Sequence, residues 1–220
     1  MSLYLSRLIL NPASAQARMD LRSRYELHRT LSRGWGEDRK TYQNARCLFR
    51  LDEHPSPAQV LVQSRTEPDW SALPNGYLVQ EAQVKELDLR FTEGQLLRFL
   101  LLANPTRREP AGHAVHAVTG KPKDGPRRAL VFRDPTATDT ACRGWLSHKG
   151  EGSGFQPLRF EVEDRGVIKV AKDGKQVPYP AVRFEGRLRV MDAQRFRQAV
   201  EQGIGSAKGF GFGLLSLARA

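Results

Sequence analysis

One plan occurs twice in this chain. Leu5-Ser-Arg-Leu-Ile-Leu-Asn11-Pro12 is an apolar strand closed by Asn-Pro, and Leu97-Arg-Phe-Leu-Leu-Leu-Ala-Asn104-Pro105 repeats it in the second half. Such self-similarity signals a duplicated unit, so the chain is expected to divide near residue 93 into two domains, 1–92 and 93–220. Its 220 residues suit one large or two small domains, each able to bury a core.

The second half spells out the unit. Thr136 or Asp139 caps a helix with Ala137, Ala141 and Trp145 on its inner stripe. Two strands follow, Leu158 to Ala171 with a turn near Asp164-Arg-Gly166, and Ala181 to Val190. In the latter, Val182, Phe184, Gly186, Leu188 and Val190 alternate with Arg183, Glu185, Arg187 and Arg189. A helix over Asp192 to Gln202, carrying Phe196, Ala199, Val200 and Ile204 at helical spacing, leads through glycines to a strand at 213–218. The order β-α-β-β-α-β is ferredoxin-like.

The first half opens on a strand over Leu3 to Leu10, and Asn11-Pro12 then offers a cap for a helix reaching Arg22. A second helix spans Tyr25 to about Arg33, with Leu27, Leu31 and Trp35 facing the core at i, i+4, i+8. Arg46 to Leu51 and Val60 to Gln63 read as paired strands, with Trp70 as a packing anchor, and Leu78 to Phe91 as a long last strand running into a linker. After the second half's Asn-Pro strand comes a polar insert, Thr106 to Pro126, read as a long loop rich in proline, glycine and basic residues.

Gly203-Ile-Gly-Ser-Ala-Lys-Gly-Phe-Gly-Phe-Gly213 spends much conformational entropy. Its helix-glycine-strand order reverses the dinucleotide fingerprint, and Gly209 after Lys208 excludes a Walker loop. Two readings remain. One is a cationic, donor-rich backbone packed on a phosphate chain; the other is a helix cap at Gly203 followed by a bulged strand.

Lys and Arg number 35 against 24 Asp and Glu, a net +11, which suits a polyanion. No apolar run approaches membrane length and no basic amphipathic helix of the membrane-surface type appears, so no membrane partner is expected. The N-terminus lacks a signal peptide, and Cys47 and Cys142 alone make no disulfide framework, so the reducing cytoplasm is the expected location.

Tyr25, His28 and Ser32 share the helix face beside the apolar stripe, with Arg29 and Arg33 next to them. Imidazole exchanges protons near neutral pH, a phenol orients a hydroxyl, and guanidiniums hold charge building on a phosphate. RNA supplies its own nucleophile as the 2′-OH, so such a cluster needs neither metal nor cofactor. The plain alternative is an exposed histidine hydrogen-bonded to Tyr25 or Ser32. His113 and His116, three apart in a loop without acidic or thiol company, are not read as a metal site, and His54 and His148 read as exposed.

Tyr25-Glu-Leu-His28-Arg-Thr-Leu31, Val62-Gln-Ser-x-x-x-Pro-Asp-Trp70, Leu102-Ala-Asn-Pro105, Phe184-Glu-Gly-Arg-Leu188 and the Gly203 to Leu217 segment, in this order, resemble the type I-E CRISPR repeat endoribonucleases, the CasE subunits of the Cascade surveillance complex. The resemblance implies an α+β fold of two tandem ferredoxin-like, or RRM-like, domains with antiparallel sheets and a cleft between them. It implies metal-independent cutting of precursor crRNA at the 3′ base of the repeat stem-loop, leaving a 2′,3′-cyclic phosphate and a 5′-hydroxyl. It also implies retention of the crRNA beside other Cascade subunits.

The family's catalytic histidine falls on His28 and its assisting tyrosine on Tyr25. A basic residue that some members carry falls on Arg33, which as arginine serves charge stabilisation and not proton donation. The basic loop and hairpin of the second domain match Gly120-Lys121 through Arg128. Lys121, Lys123, Arg127 and Arg128, with Arg107, Arg108 and the Gly203, Gly205, Lys208 and Gly209 loop, are therefore expected along the RNA. The rival reading is a non-catalytic RNA-binding subunit of a ribonucleoprotein complex, because RRMs share this fold.

Overall fold

A computed structural model of the chain describes residues 3–36, 38–54, 56–109, 125–172 and 175–220. The first half runs β1 (Leu3–Ile9), α1 (Ala15–Arg22), α2 (Arg24–Ser32), α3 (Arg39–Ala45), β2 (Leu48–Asp52), β3 (Gln59–Ser64) and β4 (Gln83–Leu87). The second runs β5 (Leu96–Ala103), β6 (Thr106–Arg108), β7 (Arg127–Ala129), α4 (Pro135–Ser153), β8 (Phe155–Lys172), β9 (Lys175–Val190), α5 (Ala193–Gln202) and β10 (Leu215–Arg219). The strands form two antiparallel four-stranded sheets, β2-β3-β1-β4 and β10-β5-β9-β8. Each puts its first and third strands in the middle, so the repeat read from the two Asn-Pro strands is a repeat of ferredoxin-like folding.

Each sheet has its own core. In the first, Leu8, Leu27, Leu31, Phe49, Val60 and Val62 are buried, with Trp35 stacked edge-on against Trp70 at 5.5 Å between ring centroids. In the second, Phe99, Leu101, Trp145, Phe184, Leu188, Phe196 and Val200 are buried. Specific contacts join the halves. The Gln63 amide donates to the Val200 carbonyl at 2.9 Å in a buried bond, Arg50 donates to the Ser216 hydroxyl at 2.5 Å, and Arg65 lies 3.6 Å from Glu201.

Several expectations are corrected. Asn11 does not cap the first helix: its side-chain Oδ1 accepts from the Ala13 N–H in a tight turn, and the Ser14 hydroxyl caps α1 instead. The strand expected from Arg46 begins at Leu48, because α3 precedes it and ends at Arg46 in the left-handed region (φ 49°). The long last strand shrinks to β4, an exposed edge, because the chain then leaves the sheet to bury Leu89 and Phe91 on the second core. Phe91 meets Phe196 there at 4.7 Å.

The polar insert is a loop only in part. Its ends pair as a two-stranded ribbon, Arg107 opposite Arg128 and Arg108 opposite Arg127, while 110–124 lie outside the described residues. The cap of α4 is Asp134, before Pro135 at the first helical position, not Thr136 or Asp139. That earlier start goes with an inner stripe of Thr138, Cys142, Trp145, Leu146 and Gly150, with Ala137 and Ala141 half-buried. Asp164-Arg-Gly166 is a bulge within one long strand, not a turn: Asp164 accepts from the Gly166 N–H and β8 stays paired with β9 on both sides.

Candidate functional site

The site is built on α2. Ser23 caps this helix through the Glu26 N–H, and Leu27 and Leu31, wholly buried, fix its roll against the first sheet. That roll puts His28 at the edge of the core, half-buried, where an exposed face had been expected. The short helix α3, capped by Asp38 through the Thr41 N–H and hydroxyl, then delivers Tyr42. The phenol oxygen lies 2.5 Å from His28 Nε2, and the rings meet edge-to-face at 5.3 Å. Phe49 of β2 lies 6.4 Å from the imidazole, ring to ring.

The remaining wall comes from the other half of the chain. Within the glycine stretch, Lys208–Phe210 forms one 3-10 turn. A methyl group placed on Gly209 would sit 3.5 Å from His28 Nε2 and 3.7 Å from Cδ2, so bare backbone passes the imidazole. The cap reading of Gly203 also holds, since its N–H bonds the Ala199 carbonyl and φ is 74°. A side chain at that position would strike Leu48 of the first sheet at 2.9 Å, so glycine there also permits the two halves to close.

Burial holds the His28 pKa below the usual imidazole value, so the ring is neutral at pH 7. Burial likewise raises Tyr42, with the Cys47 thiol beside it as a further cause, and pushes Cys47 up to about 12. Both keep their protons. Lys208 is held below the ordinary lysine value by burial first, then by repulsion from Arg46 and Lys149. A half-buried ammonium facing two more cations is a place for a polyanion.

A cationic trough follows the glycine loop. One cleft of about 340 Å³ is lined by Lys149, Arg195, Gly203, Gly205 and Lys208. The adjoining hollow of about 220 Å³ is lined by Arg108, Arg127, Trp145, Lys149 and Gly205. Tyr42 also lines a cavity of about 630 Å³ with Arg29, Ser32, Arg33 and Asp38. A further cavity of about 670 Å³ between the sheets is a poorer candidate, because its arginines are engaged: Arg24 with Glu53 at 3.1 Å and Arg50 with Asp52 at 2.8 Å.

The residues expected at the site fall into groups. His28 and Tyr25 lie one turn apart on α2, Tyr25 half-buried. Arg29 is exposed and pairs with Glu26 at 3.3 Å, and Arg33 is exposed. Ser32 spends its proton on the Arg29 carbonyl at 2.7 Å. Gly203, Gly205, Lys208 and Gly209 line the trough or the imidazole, as do Arg108 and Arg127. Arg107 stands exposed on the ribbon, and Arg128 pairs with Glu109. Lys121, Lys123, His113 and His116 lie outside the described residues. Among the described residues no three His, Cys, Asp or Glu side chains are grouped to hold a metal ion.

Tyr42, Arg46 and Lys149 were not anticipated. Asp38-x-x-Thr41 is the only local signal for α3, and Lys149 becomes significant only because α4 runs four residues past it.

Two ferredoxin-like sheets that close a neutral histidine between a phenol and a cationic, glycine-lined trough define a tandem α+β protein equipped to handle a polyanion. The chain belongs to the family described as CRISPR associated protein, which matches residues 3–219. It is 37% identical over 230 residues to the CRISPR-associated endoribonuclease Cse3 of Thermus thermophilus, covering 98% of this chain and 100% of that one. It is 29% identical over 220 residues to the CRISPR system Cascade subunit CasE of Escherichia coli, covering 98% and 99%. The solved structure of Thermus thermophilus Cse3 bound to an RNA representing a pre-cleavage complex superposes with a TM-score of 0.77 at 36% identity, over 99% of this chain and 100% of that chain.

Proposed function

We propose that the protein is the endoribonuclease that processes CRISPR precursor RNA and stays with its product as a Cascade subunit. Its relatives carry the same offices by name: one a CRISPR-associated endoribonuclease seen with pre-cleavage RNA, the other a Cascade subunit. The single observation that carries the reading is the neutral His28 imidazole at the junction of the two halves, beside a trough of Lys149, Lys208, Arg108 and Arg127.

In this reading the trough grips the repeat stem-loop by its phosphates, as suits an A-form helix whose base edges are poorly accessible. The scissile nucleotide at the 3′ base of the stem lies over His28. The neutral imidazole accepts the proton of the 2′-OH; the 2′ oxygen bonds to phosphorus as the bond from phosphorus to the 5′ oxygen breaks. The leaving 5′ oxygen takes its proton from water and the His28 imidazolium gives its own back to water, so the products are a 2′,3′-cyclic phosphate and a 5′-hydroxyl. Tyr25 orients the hydroxyl, and Arg29 and Arg33 hold the charge on the phosphate. Ser32 bonds its own helix and is left out of the chemistry. Residues 1–92 act as the unit that carries His28, and 93–220 as the unit that carries the ribbon and glycine loop. The substrate, a fresh transcript, places the work in the cytoplasm.

The test is incubation with the cognate repeat hairpin in EDTA, beside His28→Ala and a substrate with a single 2′-deoxy at the cut site. Cutting once to a cyclic phosphate, abolished by both changes while the hairpin stays bound, supports the reading. Binding without cutting would leave a non-catalytic RNA-binding subunit, and a His28→Ala protein that cuts as well as the parent would put the catalytic group elsewhere.

A further inference from the structure

A buried polar atom takes its chemistry from the partner it is given. At His28 that partner is Tyr42, with 2.5 Å between Oη and Nε2. A phenol has one proton to give, and the bare nitrogen of a neutral imidazole is a better acceptor than a thiol sulfur. Tyr42 therefore donates to Nε2, and the ring proton of His28 sits on Nδ1. The placement is a built one. The ring of Tyr42 packs on Trp35 at 5.9 Å, and its helix is fixed by the Asp38 cap.

We infer that Tyr42 is a positioning residue for His28: its hydroxyl fills Nε2 in the RNA-free protein, fixes the tautomer and aims the imidazole, until the substrate 2′-hydroxyl takes that place. The inference rests on His28 being the reacting group. Tyr42 touches no substrate atom in it; it sets the state in which His28 waits. Gly209 brings bare backbone beside Nε2, so no side chain at that position of the loop stands against the nitrogen.

Other titratable groups on the surrounding elements do not duplicate this role. Lys208 comes from the glycine loop as a cation and offers no proton at neutral pH except as an ammonium. On α2 and just after it are Tyr25, Arg29 and Arg33, Arg29 turned to Glu26. β8 meets the far end of α2 where Arg24 and Arg165 line the cavity between the sheets. From β2 the neighbour is Phe49, which has no proton to exchange.

The experiment uses the free protein and Tyr42→Phe, which keeps the ring on Trp35 and removes only the hydroxyl. Long-range nitrogen–proton correlation spectra report the His28 tautomer and titration, with the resonances assigned by their absence in His28→Ala. The wild type is expected to show the Nδ1-protonated tautomer. In Tyr42→Phe that tautomer loses its preference and the titration moves to higher pH, since a donor to the neutral ring has gone.

The pH profile of kcat/KM, which reports the free enzyme, should then have its acid limb at higher pH in Tyr42→Phe. The rate should fall about three- to tenfold at about pH 6, as one neutral hydrogen bond is worth, with hairpin affinity unchanged. An Nε2-protonated His28 in the wild type overturns the inference with no variant needed. So does a Tyr42→Phe protein whose tautomer and acid limb stay where they were while His28→Ala is inactive. A His28→Ala protein that still cuts would instead sink His28 as the reacting group, on which the inference rests.

Discussion

Gly209 is the position where one methyl group tests the geometry of the site. Its backbone is not in the left-handed region, and a Cβ there meets nothing closer than 3.5 Å, so Gly209→Ala is free of strain and of clash. Its stability should stay within about 0.5 kcal/mol of the parent. The effect on chemistry should be far larger. A reacting oxygen must stand about 2.8 Å from Nε2, and an oxygen approaches a methyl carbon to about 3.3 Å. With the methyl 3.5 Å from Nε2, the oxygen is then shut out of every direction within about 60° of it. A displacement of about 1 Å costs on the order of 100-fold in rate. Single-turnover cleavage of the repeat hairpin should therefore fall about 100-fold in Gly209→Ala, and further in Gly209→Val, with hairpin affinity and melting temperature of the alanine variant unchanged. Wild-type cleavage by Gly209→Ala would refute the reasoning, because the substrate would then reach the imidazole from another side.

The other predictions concern charge and the joint between the halves. Burial depresses the His28 pKa, so cleavage should be level above 6.5 and fall only at lower pH; an acid limb above 6.5 would contradict the neutral histidine. The same depression makes the unfolded chain take up a proton near 6.5 that the folded chain refuses, so stability, read by urea titration, should decline as pH falls below that value. Lys208→Ala and Lys149→Ala should each weaken hairpin binding and lower the slope of log affinity against log salt by about one. An unchanged slope would remove that lysine from the trough. Gln63→Ala strands the Val200 carbonyl at the joint and should cost about 1–3 kcal/mol in urea unfolding, more than substitution of an exposed glutamine.

Much of the fold was legible because it is written in periodicity. The alternation from Val182 to Val190, the stripe of Leu27, Leu31 and Trp35, and the two Asn-Pro strands all report burial against one face, and burial is what the structure shows for them. Capping was less legible. Asn11, Ser14, Asp134, Thr136 and Asp139 are all competent caps, and the choice among them depends on where the helix must start to pack. α3 was invisible because a seven-residue helix with almost no apolar stripe has no period to read.

The site divides in the same way. His28 could be singled out from its neighbours on one helix face, but its partner Tyr42 sits fourteen residues away on that unread helix, and Gly209 comes from the other sheet's domain. Contacts between elements distant in sequence leave no trace in local spacing. The composite trough was legible only as an excess of basic residues, without the knowledge that Lys149 and Lys208 share a cleft.

The imidazole and the backbone that walls it are made at opposite times. α2 leaves the ribosome early, and Lys208 to Phe210 follows only after both sheets have been synthesised as far as α5. A ribosome stalled before the glycine stretch holds a chain whose first sheet can fold and whose histidine is present, but one side of the histidine stands open to water. Without that wall the ring is better solvated, and the burial that keeps it neutral is lessened. With His28 as the reacting group, competence to cut RNA thus waits on the second half of the chain, whose glycine loop completes the site.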